Sequence, residues 1–99
     1  MTVTEIRRTT KSVFRTHDVR FAGLFGSYAR GKPRHQSDID IAVVFKSGAD
    51  LLTFIELKND LRRVLKKPVD LVSYRTMYPQ VKRAAKLEMR TLYGKAIEW

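Results

Sequence analysis

Apolar positions along the chain switch between helical and strand periods, and the switches mark out the elements. Val3, Ile6, Val13 and Phe14 recur at helical spacing behind Thr2, which forms a capping box with Glu5 three residues on; this predicts a helix over residues 3–15. His17 and Asp18 then make a turn. Residues 19–25 carry almost no charge after Arg20, as expected for a strand inside a sheet. Gly26 permits unusual backbone angles, Ser27 is an N-cap for a short helix over residues 28–30, and Gly31 stops it. Residues 32–36, with Pro33, form an exposed loop, and residues 37–45 form a second strand. Ser47, Gly48 and Asp50 close that strand and cap a helix over residues 51–65, where apolar side chains at 51, 54, 55, 57, 61, 64 and 65 keep a helical period. Lys66, Lys67 and Pro68 end the helix, residues 69–72 form a third strand, and residues 76–89 a further helix with Pro79 in its first turn. Two readings stay open for the end: the helix runs on to Tyr93 with Gly94 as its stop, or it breaks near Arg90 and Leu92 and Tyr93 add an edge strand.

Composition narrows the class. Ninety-nine residues make one domain, 1–99, and 43% hydrophobic with 30% charged residues reads as globular and soluble. The run from Ile41 to Phe45 is far short of the roughly 20 apolar residues that span a bilayer, and no signal-peptide segment opens the chain, so no membrane partner and a cytoplasmic location are expected. With no cysteine, disulfides and thiolate zinc sites are excluded. The net charge of +10 admits nucleic acid, but nine Lys plus Arg against five acids in residues 1–50, and eleven against five in residues 51–99, leave no basic tail. Solubility, attraction of an anionic nucleotide or an acidic partner account for such a spread better than specific nucleic-acid binding.

The chemistry lies in residues 21–45. Asp38 and Asp40 are two apart in a strand, so both carboxylates point to one side, roughly 7 Å apart for a rise of about 3.3 Å per residue. Aspartate is a poor strand former, and a broken local rule marks function. Like charges that close call for a cation, and oxygen donors without Cys or His suit Mg²⁺, with Mn²⁺ as the alternative. Magnesium keeps room for substrate phosphates. The helix start after Gly26 offers N–H groups, Ser27 a hydroxyl, and Arg30 a charge-assisted donor. Asp70 on the third strand is a third carboxylate, able to complete coordination and to orient or deprotonate an attacking hydroxyl. Together these match two-metal nucleotidyl transfer.

GSYARG followed by SDIDIAV, with ten residues between Ser27 and Asp38, resembles the signature of the DNA polymerase β type nucleotidyltransferase superfamily, and at this length its minimal bacterial and archaeal members. The resemblance implies an α+β nucleotidyltransferase fold, a small mixed β-sheet with helices packed mainly on one face. It implies that Gly26 and Ser27 hold the nucleotide's phosphates, that Asp38 and Asp40 bind two metal ions, and that Asp70 is the third carboxylate. It also implies a partner: minimal nucleotidyltransferases pair with small helical HEPN-class proteins, and as antitoxins move AMP from ATP to a tyrosine of that toxin. Three functions follow for this chain: a Mg²⁺-dependent transferase acting on a protein hydroxyl, an antitoxin that works by binding alone, or a transferase acting on RNA.

Other residues have plainer readings. His17 and His35 are loop histidines, Tyr74 and Tyr78 pack, and Arg62, Arg63, Lys66 and Lys67 form a solvated helix end. Trp99 points to an interface. Ala42 and Val44 share the face of Asp38 and Asp40, so that face turns apolar beyond the aspartates; the expected cover is another chain, a second copy or the helical partner.

Overall fold

The first helix begins where its capping box places it. In the computed structural model, which describes residues 1–95, α1 spans Val3–Thr16; the Glu5 N–H donates to the Thr2 hydroxyl at 3.2 Å and the Thr2 N–H to the Glu5 carboxylate at 3.0 Å. Ile6, Thr10, Val13 and Phe14 make its buried side, and the Thr10 hydroxyl donates to the Ile6 carbonyl at 2.7 Å, which satisfies the polar member of that set. After β1 (Val19–Phe25) comes a single turn, α2 (Gly26–Ala29), then β2 (Ile39–Phe45) and α3 (Leu51–Leu65), whose N-cap Asp50 accepts from the Thr53 N–H at 2.9 Å. Lys66 closes α3 in the left-handed conformation, at φ 57°.

β3 (Val69–Ser73) lies parallel to β2, and α3 is the crossover such a pair requires. β1 runs antiparallel to β2 and to β4 (Arg90–Gly94), giving the order β3-β2-β1-β4 in a mixed sheet of an α+β fold. Residues 90–94 thus form an edge strand, the second of the two readings above. Trp99 lies outside the described residues.

The last helix, α4 (Pro79–Glu88), starts three residues later than expected. Tyr78 precedes a proline and is pushed into extended backbone at φ −60°, ψ 142°, so Pro79 becomes the first helical residue and residues 74–76 form a separate 3₁₀ turn. Tyr74 and Tyr78 are therefore not neighbours on one helix. Tyr74 packs in the core beneath the Lys82 ammonium, 4.9 Å from its ring centre, whereas Tyr78 is exposed.

Alternation along β2 divides the core in two. Ile39, Ile41 and Val43 face α1 and α3, where Ile6, Phe14, Leu57, Leu61 and Leu65 close over them. Ala42 and Val44 face the other way and are buried with Phe21 and Tyr74, with Phe25, Val72, Met77 and Met89 packed around them. The expectation that another chain covers this face is overturned: the 3₁₀ turn and the residues after it fold back and cover it. Gly23 makes room, since a Cβ there would collide with the Met89 sulfur. Among the described residues, no helix is long and apolar enough to cross a membrane.

Candidate active site

The sheet register assembles the site. Phe25, the last residue of β1, is paired with Asp40 on β2, and Asp40 with Asp70 on β3, so one row across three strands ends in two carboxylates on the same face. The second strand starts two residues later than expected, so Asp38 precedes β2 by one residue rather than alternating within it; Asp38 is exposed, Asp40 half-buried and Asp70 exposed. Burial pushes the Asp40 carboxyl up to about 6, reinforced by the charges of Asp70 and Asp38 and a hydrogen bond from the Asp70 side, with Arg30 opposing. Asp40 therefore feels both other aspartates.

Gly26 follows Phe25 directly and turns the chain over Asp40. Its φ is +76°, and any Cβ would overlap the Asp40 carboxylate, so only glycine fits on both counts. Here the local expectation needs correction. The N-cap of α2 is Phe25, not Ser27, and no side chain caps the turn; Ser27 is the second helical residue, half-buried, its hydroxyl uncommitted among the described residues. One turn also sums few peptide dipoles, so individual N–H groups rather than a macrodipole are what α2 offers an anion.

Those donors already hold an anion. The Gly26 N–H donates to Glu88 Oε1 at 2.9 Å, and Arg30 Nη1 donates to Glu88 Oε2 at 2.8 Å. The hydrogen bond from Arg30, with that from Gly26, holds the Glu88 carboxyl below its usual range. Arg30 thus pairs with Glu88 rather than standing free to reach a ligand. Sequence reasoning missed Glu88, although one signal was present: it is the sole acid between Leu71 and Lys95, in a helix otherwise charged by Lys82, Arg83 and Lys86.

The donor set fits a hard divalent ion. Among the described residues no group of three or more His, Cys, Asp or Glu side chains forms a ready-made cage. Magnesium does not need one, since it takes one or two carboxylates and completes its shell with water and phosphate oxygens. The mutual repulsion raised on Asp40 is what a cation relieves.

Both histidines lie elsewhere. His35 is exposed in the loop before β2, whereas His17 is no free loop residue: its Nε2 lies 2.6 Å from Asp60 Oδ2, and Arg63 donates to Asp60 Oδ1 at 2.8 Å. This pins the end of α1 to α3 beside the start of β1, at the opposite end of the sheet from Asp40.

The fold, with this arrangement at the start of its two parallel strands, is that of a nucleotidyltransferase. The family model described as polymerase beta, nucleotidyltransferase matches residues 8–98, and the chain belongs to that family. It is similar to MJ0435 of Methanocaldococcus jannaschii, provisionally named a protein adenylyltransferase, with 42% identity over 82 residues, 83% of this chain and 88% of that one. Among solved structures it is similar to a chain of a toxin-antitoxin crystallised with AMP-PNP, at 28% identity and a TM-score of 0.78, covering 90% of this chain and 73% of that one. A chain in the complex of tri-AMPylated Shewanella oneidensis HEPN toxin with MNT antitoxin matches at 25% identity and a TM-score of 0.73, covering 94% of this chain and 73% of that one.

Proposed function

We propose that this nucleotidyltransferase moves AMP from ATP to a hydroxyl of a HEPN-class helical protein in the cytoplasm, as the antitoxin of a toxin-antitoxin pair. The observation that carries this reading is the row from Phe25 through Asp40 to Asp70, with the Gly26 turn lying directly over the Asp40 carboxylate. Similarity to a protein adenylyltransferase and to antitoxins solved beside an AMPylated HEPN toxin supports the donor and the acceptor.

Gly26 and Ser27 bind the triphosphate through a backbone N–H and a free hydroxyl, and Arg30 adds a guanidinium to its oxygens, the Gly26 and Arg30 donors exchanging the Glu88 carboxylate for phosphate. Asp38 and Asp40 hold the metal ions, with Asp70 as third carboxylate. Those carboxylates would hold two Mg²⁺ ions, or Mn²⁺ in their place, which when bound would neutralise charge on the attacking and leaving oxygens. Asp70, exposed beside Asp40, orients the acceptor hydroxyl and takes its proton; the hydroxyl oxygen bonds to the α-phosphorus as the bond to the β-phosphate oxygen breaks, and pyrophosphate leaves. An apolar hollow of about 250 Å³, lined by Phe25, Val72, Met77, Tyr78 and Val81 among others, lies beside that row and gives a base or an acceptor side chain a surface to rest on.

Incubation with α-labelled ATP, Mg²⁺ and a HEPN partner tests the reading. Label is expected on the partner and falls by about a thousandfold in Asp38→Ala, the order lost when a group that stabilises transition-state charge is removed. Neutralisation of the partner that survives Asp38→Ala shows action by binding alone, and label on RNA moves the acceptor to nucleic acid; either outcome overturns the proposal.

A further inference from the structure

Glu88 ties together the two groups assigned above to the nucleotide, although 62 residues separate it from Gly26 and 58 from Arg30. Each of its carboxylate oxygens accepts one of their donors. The arrangement copies what a phosphate oxygen pair would do there, with a side chain from the chain's own last helix. We propose that Glu88 is a positioning residue and internal competitor of the nucleotide: it holds the Gly26 amide and the Arg30 guanidinium in place while the site is free, and releases both to the incoming phosphate. This inference rests on the adenylyl-transfer reading.

The exchange is balanced in kind. One anion replaces another at the same donors, so Gly26 and Arg30 never lose a partner, and a phosphate brings more negative charge and more acceptor oxygens than a carboxylate. Release is also mechanically open. Glu88 ends α4, the next residue Met89 is extended at φ −65°, ψ 134°, and α4 buries only Ala85 while Leu87 is 90% exposed. Met89 stays packed against Gly23, so release is a swing of the Glu88 side chain rather than a displacement of the backbone. The Glu88 side chain keeps 28% of its surface in solvent, so once released it re-enters water rather than an apolar interior. With Arg30 engaged this way, a weak monoanion gains little by displacing Glu88, whereas a triphosphate gains much.

The test is the affinity of the full chain for ATP and for adenosine, each with Mg²⁺, by titration calorimetry, in the wild type, Glu88→Gln and Arg30→Ala, with the Gly26 amide followed by NMR. Gln keeps the shape and a neutral acceptor but loses the charge that competes with phosphate. ATP is expected to bind Glu88→Gln about tenfold more tightly, the order set by one charge-assisted contact, while adenosine affinity stays put. ATP is also expected to shift the Gly26 amide in the wild type. Unchanged or weaker ATP binding in Glu88→Gln, in a protein that still unfolds cooperatively, overturns the inference and leaves Glu88 a structural tie. A wild type that binds no ATP, or binds it no worse as Arg30→Ala, overturns the adenylyl-transfer reading and this inference with it.

Discussion

The two faces of β2 differ in what they carry. Ile39, Ile41 and Val43 sit under two long helices in a dry cluster. On the other face Asp40 gives way within two residues to Ala42 and Val44, covered by Tyr74 of the short turn and by Met77 and Met89. One strand thus turns its odd positions to the larger core and its even ones to the face of the proposed site. Small residues on the chemical face, Gly23 and Ala42, let Met89 and Tyr74 come close without a second thick helical layer. That thin cover is what leaves the aspartates reachable.

The contrast is broken most directly from the dry side. Leu57→Ala, at a fully buried position on the inner face of α3, is expected to cost about 2–5 kcal/mol of folding free energy by loss of apolar burial and the cavity left behind, read from urea unfolding. A loss under about 1 kcal/mol would mean that α3 repacks and that the helical face is not where stability resides.

Gly26 stands where the faces meet. Gly26→Ala is expected to destabilise by about 1–3 kcal/mol, through a positive φ and an overlap with Asp40, and to abolish ATP binding as well. If ATP binding survives in Gly26→Ala, the turn over Asp40 is not the phosphate site.

How far these features could be read in advance depended on how local their causes were. The α1 capping box and both ends of α3 depend on neighbours in the chain, and the expected and observed bounds agree within a residue. Strand alternation places Asp40 but not Asp38, which lies one residue before β2 and is tied to Asp40 only through its charge. The start of α4 was also local, since Tyr78 precedes proline, but helical spacing after Thr76 masked it. The remainder is long-range. Tyr74 covers Val44 across 30 residues and Glu88 reaches Gly26 across 62, and neither contact leaves a periodicity to read. Gly-Ser reads locally as an ordinary helix opening with Ser27 as cap, whereas the helix starts one residue before Ser27, at Gly26, where the close approach to Asp40 admits no Cβ. The edge strand at Arg90–Gly94 was undecidable for the same reason, since only the open side of β1 selects it.

On the proposed function, Asp40 is held at a cost to the fold so that it can serve a cation. Its raised carboxyl sets the sign: the folded chain prefers the protonated form, so stability is fully present below pH 4 and declines as pH rises through about 6 in metal-free protein. Measuring urea unfolding of wild type and Asp40→Asn without metal from pH 4 to 8, alongside AMP transfer, tests this in one substitution. Asp40→Asn is expected to be more stable than wild type at pH 7.5 by about 1–2 kcal/mol, after allowance for solvent screening of a half-buried carboxyl, to lose that advantage near pH 4, and to be inactive. An Asp40→Asn protein that is less stable at pH 7.5, or that still transfers AMP, contradicts the account.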